Sequence, residues 1–359
     1  MRATCATIHL SALRENLRRV RERAPAARVM AVVKADGYGH GLERVARALE
    51  GADAFGVAGI ADGQRLRAAG ISQRIVVLSG LDEPGDLAQM RRLRLEGVVH
   101  TDAQIDALAA DRDPRPLRVW LKLDTGMHRL GFAPERAREV YARLRALPAV
   151  DKDIVLMTHF ANSDVLDDAL TAMQIECFQR SVAGLDGERS LANSAGIFGW
   201  PQAQGQWVRA GGALYGICVV AGKSGADFGL RPAMTLATRL VAINPVRRGE
   251  RVGYAATWEA PEDMHIGVAA IGYGDGYPRH AASGTPVLVN GTRAAIVGRV
   301  SMDLITIDLC AHPQARIGDP VVLWGGGLPV EEIAEQAGTI GYDLTCGVTR
   351  RVRFAEDDV

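Results

Sequence analysis

The sequence predicts an α/β protein, an N-terminal (β/α)8 TIM-type barrel followed by a C-terminal mostly-β domain. Three observations carry that reading. Up to about residue 217, eight short apolar runs alternate with helical stretches. The runs are apolar almost throughout, as strands buried on both faces are. After Arg231 helical stretches nearly vanish, and strand-like runs follow one another with turn residues between them.

In chain order the eight runs are VMAVVK (29–34), AFGVA (54–58), RIVVL (74–78), GVVH (97–100), LRVWLKL (117–123), IVLMTHF (154–160), SLANS (190–194) and QWVRAG (206–211). Amphipathic stretches such as GLERVARALE, ADGQRLRAAG, DLAQMRRLRLE and PERAREVYARLRAL separate many of them. Eight such units suggest a closed barrel. An open doubly wound sheet is the rival. Its dinucleotide fingerprint needs a third glycine, and after Gly37 and Gly39 position 42 is Leu. Beyond Arg231, the segments MTLATRLVAINPV, ERVGYAATW, MHIGVAAIGYG, TPVLV, RAAIVGRV, LITIDL and DPVVLW read as strands, and only VEEIAEQAG reads as a helix. Asn290-Gly291 is a two-residue hairpin signal. The expected domains are residues 1–231 and 232–359.

Bulk properties narrow the function. A chain of 359 residues fits two domains at about 100–200 residues each. The 42 basic and 42 acidic side chains balance, which argues against a nucleic-acid partner. No apolar run approaches the ~20 residues of a membrane helix, and the start MRATCATIHLSALRENL lacks the apolar core of a secretory signal. The five cysteines are scattered, with no CxxC pair. They read as reduced thiols of a cytoplasmic protein, not a metal or disulfide framework.

A barrel assembles its site at the carboxyl ends of its strands. Lys34 falls at the end of the first run, Lys122 at the fifth with Arg129 beyond it, and His159 at the sixth. Asn193 and Ser194 fall at the seventh. Arg209 lies near the end of the eighth, before Gly211-Gly212. A lysine confined in such a site can have its pKa lowered and act as nucleophile or base. Lysine also forms the Schiff base with pyridoxal phosphate. The glycines of KADGYGHG allow a sharp turn, and Ser194 with Gly211-Gly212 lies where barrels build phosphate sites.

The segments AVVKADGYGHG, WLKLDTGMHRLGF, THFANSD, LANSAG, VGYAATW, AAIGYGDGYPR, VGRVSMDLITIDL and DPVVLWG, with the tail LPVEEIAEQAGTIGYDLTCGV, together closely resemble the alanine racemase family. The resemblance covers nearly the whole chain. It implies a pyridoxal phosphate enzyme with a homodimeric active site. Lys34 is then the cofactor anchor and the base for D-alanine. Tyr254, supplied by the partner subunit, is the base for L-alanine. Arg209 matches the arginine beside the pyridine nitrogen, and His159 the residue that orients it. Tyr38, Ser194, Gly211, Gly212 and Tyr342 map to phosphate binding. Arg129 and the Met302 backbone map to the substrate carboxylate, with Asp303 adjacent. Tyr273 and Tyr342 match residues that narrow the pocket. Lys122 occupies a position that many members carry as a carbamate, whose negative charge would hold Arg129.

The chain departs from the family pattern at Ala210 and Gly212, at Gly341 and Asp343, and at Gly59 and Asp62. Three alternatives stand beside the racemase reading. They are a racemase of broader amino-acid scope, a non-catalytic pyridoxal phosphate carrier, which has the barrel alone, and a cofactor-free Schiff-base aldolase. The resemblance leaves open whether D-alanine is made for peptidoglycan or broken down.

Overall fold

The structure is a computed structural model that describes residues 3–83 and 85–358. The chain divides into two compact units. One is Arg14–Leu214 with Val219–Lys223, and the other is Met1–Leu13 with Tyr215–Cys218 and Ser224–Val359. The division therefore does not run at a single cut near Arg231. The strand β1 (Cys5–His9) belongs to the second unit because it is hydrogen-bonded into that unit's sheet.

In the first unit, eight parallel strands close on themselves, so the doubly wound alternative is excluded. They are β2 (Arg28–Val32), β3 (Ala54–Val57), β4 (Arg74–Val77), β5 (Leu95–Val99), β6 (Val119–Lys122), β7 (Val155–Met157), β8 (Arg189–Ser190) and β9 (Trp207–Ala210). Closure comes from β9 pairing with β2, where Arg28 faces Trp207 and Ala31 faces Ala210. Met30, Ala54, Val76, Val98, Trp120, Val155, Met157 and Trp207 pack together as a buried cluster. Trp120 and Trp207 meet edge-on with ring centroids 5.5 Å apart.

Charged residues brace the amino ends of the strands. Arg28 and Arg74 lie over the Trp207 ring at 4.3 and 4.7 Å. The Trp207 indole donates to Glu188 at 2.8 Å, which also pairs with Arg28. The Trp120 indole donates to Glu96 at 2.8 Å, and Glu96 accepts two bonds from Arg74 at 2.6 and 2.8 Å. The indole N–H groups of Trp120 and Trp207 are thus both satisfied, which avoids the desolvation penalty of a buried unpaired donor.

The second unit is built on β10 (Met234–Val246), β11 (Arg251–Val252), β12 (Trp258–Glu259), β13 (Met264–Ala269), β14 (Pro286–Val289), β15 (Thr292–Ala295), β16 (Ile305–Asp308), β17 (Pro320–Trp324) and β18 (Arg353–Asp357). The main sheet runs β15-β14-β17-β10-β1-β18, with β13 joining β10 to β16. Asn290 and Gly291 both take positive φ, 51° and 79°, in the hairpin joining β14 to β15, as a two-residue primed turn requires. VEEIAEQAG carries the helix Val330–Gln336, and a second helix, Gly341–Gly347, follows it. ERVGYAATW is not one strand. Gly253, Ala255 and Ala256 take positive φ, which breaks it into β11, a tight turn and β12.

Candidate active site

Lys34 lies two residues beyond the end of β2, not within it. The chain there turns the wrong way for an L-residue helix: Ala35, Asp36, Gly37, Tyr38 and Gly39 all have φ between 52° and 80°. Left-handed geometry costs roughly 1–2 kcal/mol for each residue with a Cβ, so Ala35, Asp36 and Tyr38 hold strain that their surroundings must fix. Backbone bonds Gly37 N–Val33 O and Gly41 N–Asp36 O, at 2.9 and 2.8 Å, close the turn. The Asp36 carboxylate accepts from Leu42 N at 3.2 Å and from Arg65 at 2.8 Å, while Arg65 also binds Glu43. His40 is fully buried and bonds the Tyr38 carbonyl at 2.8 Å. Burial drops its pKa to about 4, so it is a neutral strut at neutral pH. Lys34 itself is exposed in the single chain. The confinement expected of it is not supplied by the strand end, because the left-handed turn lifts it onto the rim.

Beside this turn, beyond the ends of β8 and of β9, the strand that pairs with β2, Ser194 and Gly211 meet. Asn193 caps the short helix Ser194–Gly199 by accepting from Gly196 N at 2.9 Å. The buried Ser194 hydroxyl accepts from Gly211 N at 2.8 Å and from Ala213 N at 3.3 Å. A Cβ on Gly211 would stand 2.6 Å from the Tyr38 hydroxyl oxygen. Only glycine therefore lets that hydroxyl lie against the backbone beside Ser194. Gly212 opens the next turn and is also buried.

Arg209 is 3 % exposed and held without any carboxylate. One terminal nitrogen donates to Ser190 O and Oγ at 2.9 and 2.8 Å. The other donates to Thr158 O, Leu191 O and His159 Nδ1 at 2.7, 3.1 and 3.1 Å. These bonds leave the Nε–H for a further acceptor. Burial lowers the guanidinium pKa to about 10, and it stays charged at neutral pH. His159 must then accept at Nδ1 as a neutral ring. Burial, followed by Arg209, Lys122, Arg129 and Lys34, pushes its pKa well below the usual histidine range.

Lys122 ends β6 and is buried. Burial, then the charges of Arg209, Arg129 and Lys34, lowers its pKa to about 8, with Asp124 opposing. The loop bearing Arg129 is pinned at its base, where Phe132 N donates to Lys122 O at 3.0 Å and Asp124 N to Phe132 O at 2.9 Å. Asp124 also accepts from the amides of Gly126, Met127 and His128. Lys34, Lys122, Arg129 and Arg209 thus share one neighbourhood of positive charge, suited to an anionic ligand.

The second unit carries the other expected residues. Tyr254 stands on the turn between β11 and β12 and is 66 % exposed. Tyr273 and Met302 are brought together, because Tyr273 N donates to Ser301 O at 3.0 Å and Gly274 N to Met302 O at 2.9 Å. Asp303 pairs with Arg351. Tyr342 lies in the helix Gly341–Gly347, its hydroxyl 3.5 Å from the Cys218 carbonyl. A Cβ on Gly341 would sit 3.0 Å from both Ile217 and Val330, so the chain packs closely there. Sequence reasoning missed Asp36, Arg65, Asp275 and Arg351. Asp275 was within a quoted motif, whereas Arg351 is one of several arginines in the tail and gave no signal.

Comparison with known proteins bears on the family and the fold. Residues 8–219 match the family described as alanine racemase, N-terminal domain, and residues 233–355 match alanine racemase, C-terminal domain. The chain is 53% identical to an alanine racemase of Nitrosococcus oceani, over 97% of each chain. It superimposes on the biosynthetic alanine racemase of Pseudomonas aeruginosa with a TM-score of 0.97 at 46% identity, covering 99% of this chain and 100% of that one. An alanine racemase from Bartonella henselae with covalently bound pyridoxal phosphate shares the fold, with a TM-score of 0.90 at 24% identity, covering 99% of this chain and 100% of that one. Matched over both of its units and nearly its whole length, the chain belongs to the alanine racemase family.

Proposed function

We propose that this chain interconverts L- and D-alanine with pyridoxal 5′-phosphate held on Lys34, as a cytoplasmic homodimer whose two chains share their active sites. The observation that carries the cofactor assignment is Arg209. A buried guanidinium with four of its N–H groups fixed on neutral acceptors and His159, and Nε–H to spare, fits a ring nitrogen that accepts a hydrogen bond. Ser194, the Tyr38 hydroxyl and the backbone of Gly211 and Gly212 fit a phosphate, with Asn193 fixing the Ser194 turn and Tyr342 as a further contact. When bound, the cofactor supplies an electron sink that acidifies the substrate's α C–H.

Inversion needs a proton removed from one face of a planar carbon and delivered to the other, which one rigid base cannot easily do. Lys34 Nζ serves the D-face and Tyr254 Oη the L-face. Tyr254 is exposed on its tight turn, as a base given to a second chain would be. Arg129 and the Met302 backbone bind the carboxylate, with Asp303 behind them. Tyr273 and Tyr342 limit side-chain size, favouring alanine over a broader substrate range. The 46% identical relative is biosynthetic, which favours supply of D-alanine for peptidoglycan over its breakdown. A carrier of pyridoxal phosphate without a β domain is disfavoured by the match over residues 233–355.

Lys122 is the candidate carbamate. Its lowered pKa leaves a usable fraction of neutral amine near pH 8, and only the neutral amine attacks carbon dioxide. The N–C bond forms, the amine loses one proton, and a cation becomes an anion able to pair with Arg129. Labelled bicarbonate should give a carbon resonance that is lost in Lys122→Met.

Borohydride reduction of the purified protein followed by peptide mapping tests the anchor. A pyridoxyl adduct on Lys34 is expected. An adduct elsewhere, or none, refutes the assignment. For the two-base scheme, Tyr254→Phe must slow racemisation, and wild-type rates in both directions would refute it.

A further inference from the structure

We propose that Arg351 is a positioning residue for substrate binding, fixing the ledge that carries Tyr273, Met302 and Asp303. This rests on the reading above that Tyr273 and Met302 face the substrate. Arg351 comes from the tail segment before β18, and its guanidinium bridges two loops. Its Nε lies 3.4 Å from Asp275 Oδ1, and its terminal nitrogen pairs with Asp303. Asp275 is wholly buried and Asp303 exposed. One cation therefore ties the floor of the 272–276 loop to the tip of the 301–304 loop.

Further contacts join the tail to the same loop. Asp275 Oδ2 accepts from Gly272 N at 3.1 Å, and Asp275 O accepts from Thr349 N at 3.0 Å. Thr349 Oγ1 donates to Gly274 O at 3.0 Å. The tail just before Arg351 is thus bonded to the same loop that its guanidinium braces. A Cβ on Gly274 would collide with that guanidinium and reach 3.0 Å from Met302 O. Gly274 is the residue whose N–H holds Met302 O. The absence of a Cβ at Gly274 is what lets the arginine end come this close to the loop backbone.

Losing a carboxylate partner and gaining freedom in the loop are separable by substitution. Arg351→Lys keeps one charge but a single ammonium cannot span both carboxylates in fork geometry. Asp303→Asn removes the negative charge from the exposed half of the tie and leaves buried Asp275 as a carboxylate partner. Gly274→Ala displaces the guanidinium without changing any charge. If Arg351 positions the ledge, all three move substrate binding more than turnover. Loss of a contact made equally to substrate and transition state raises KM and leaves kcat nearly unchanged, so a looser ledge should raise KM for alanine by about fivefold to tenfold with kcat within about threefold.

The experiment measures KM and kcat for L-alanine, and the ratio of kcat/KM for alanine over 2-aminobutyrate, in the cofactor-loaded dimer. Wild type, Tyr273→Ala, Arg351→Lys, Asp303→Asn and Gly274→Ala are compared, with thermal midpoints recorded alongside. Raised KM and weakened preference for alanine in Arg351→Lys, Asp303→Asn and Gly274→Ala, with the Asp303→Asn midpoint near wild type, support the inference. If Tyr273→Ala shifts KM or selectivity and Arg351→Lys and Asp303→Asn shift neither, the positioning role is overturned while the substrate-wall reading stands. If Tyr273→Ala shifts neither, the wall reading itself fails and the inference with it. Falls in kcat and midpoint with unchanged KM would make Arg351 structural only, and overturn its positioning role.

Discussion

Lys122→Met should stabilise the protein at neutral pH when carbon dioxide is excluded. Burial, and then the three neighbouring cations, lower the ammonium pKa from 10.5 to about 8. Each pKa unit is worth ~1.4 kcal/mol, so holding the charged lysine folded at pH 7 costs about 3 kcal/mol. The sign follows from proton counting. Between pH 8 and 10.5 the unfolded chain binds the proton and the folded chain does not, so wild-type stability rises with pH across that window. Methionine fills a similar volume and does not titrate. Its advantage should be about 3 kcal/mol at pH 7 and under about 1 kcal/mol at pH 10. Urea unfolding at both pH values, in buffer purged of carbon dioxide, reads this directly. Trp120, Trp200 and Trp207 report on the barrel unit. Bicarbonate should shrink the advantage, because the carbamate removes the penalty from the wild type. A loss of stability in Lys122→Met at pH 7 in purged buffer would refute the electrostatic account.

Other substitutions probe other parts of the fold. Tyr277 and Trp324 stack in the β-rich unit with ring centroids 6.1 Å apart, and the buried Tyr277 hydroxyl has no partner among the described residues. Tyr277→Phe should therefore raise the thermal midpoint, by a gain of about 1 kcal/mol, and a fall would show that the hydroxyl is satisfied. Trp207→Phe removes the bond to Glu188 and weakens the stacking of Arg28 and Arg74. It should cost about 2 kcal/mol in urea unfolding while kcat stays near wild type. Arg209→Lys leaves several of the Ser190, Thr158 and Leu191 acceptors unpaired. It should cost about 2–4 kcal/mol and raise the measured pKa of His159, whose charged neighbour becomes more mobile.

The barrel was legible because its physics is local and repetitive. Continuous apolar runs between amphipathic helices mark buried parallel strands, and all eight runs hold strands of the barrel. Their exact ends were less so. Lys34, His159 and Asn193 lie past their strands, because apolar residues continue into the loops that line the rim. β1 escaped notice for a different reason. Cys5–His9 alternates buried and half-buried positions over only five residues, and its partners are β10 and β18, far along the chain. The positive φ values of Ala35, Asp36 and Tyr38 could not be read either, since nothing but their neighbours' packing forces non-glycine residues there. Arg351 was invisible because its role depends on which two loops the tail passes.

The placement of β1 also sets an order of events during synthesis. Cys5 pairs with Ala237 on one side and Arg353 on the other. β1 is therefore made before both of its partners and waits through synthesis as far as Arg353 before its sheet can close. At roughly 5–20 residues per second that is tens of seconds. The barrel strands, all within residues 28–210, are complete well before then. During the interval Ala6 and Ile8, fully buried in the finished fold, have no sheet to cover them. A nascent chain stalled before β18 is made would carry a closed barrel and an open β1, a species for chaperones to bind and for proteases to cut at that strand.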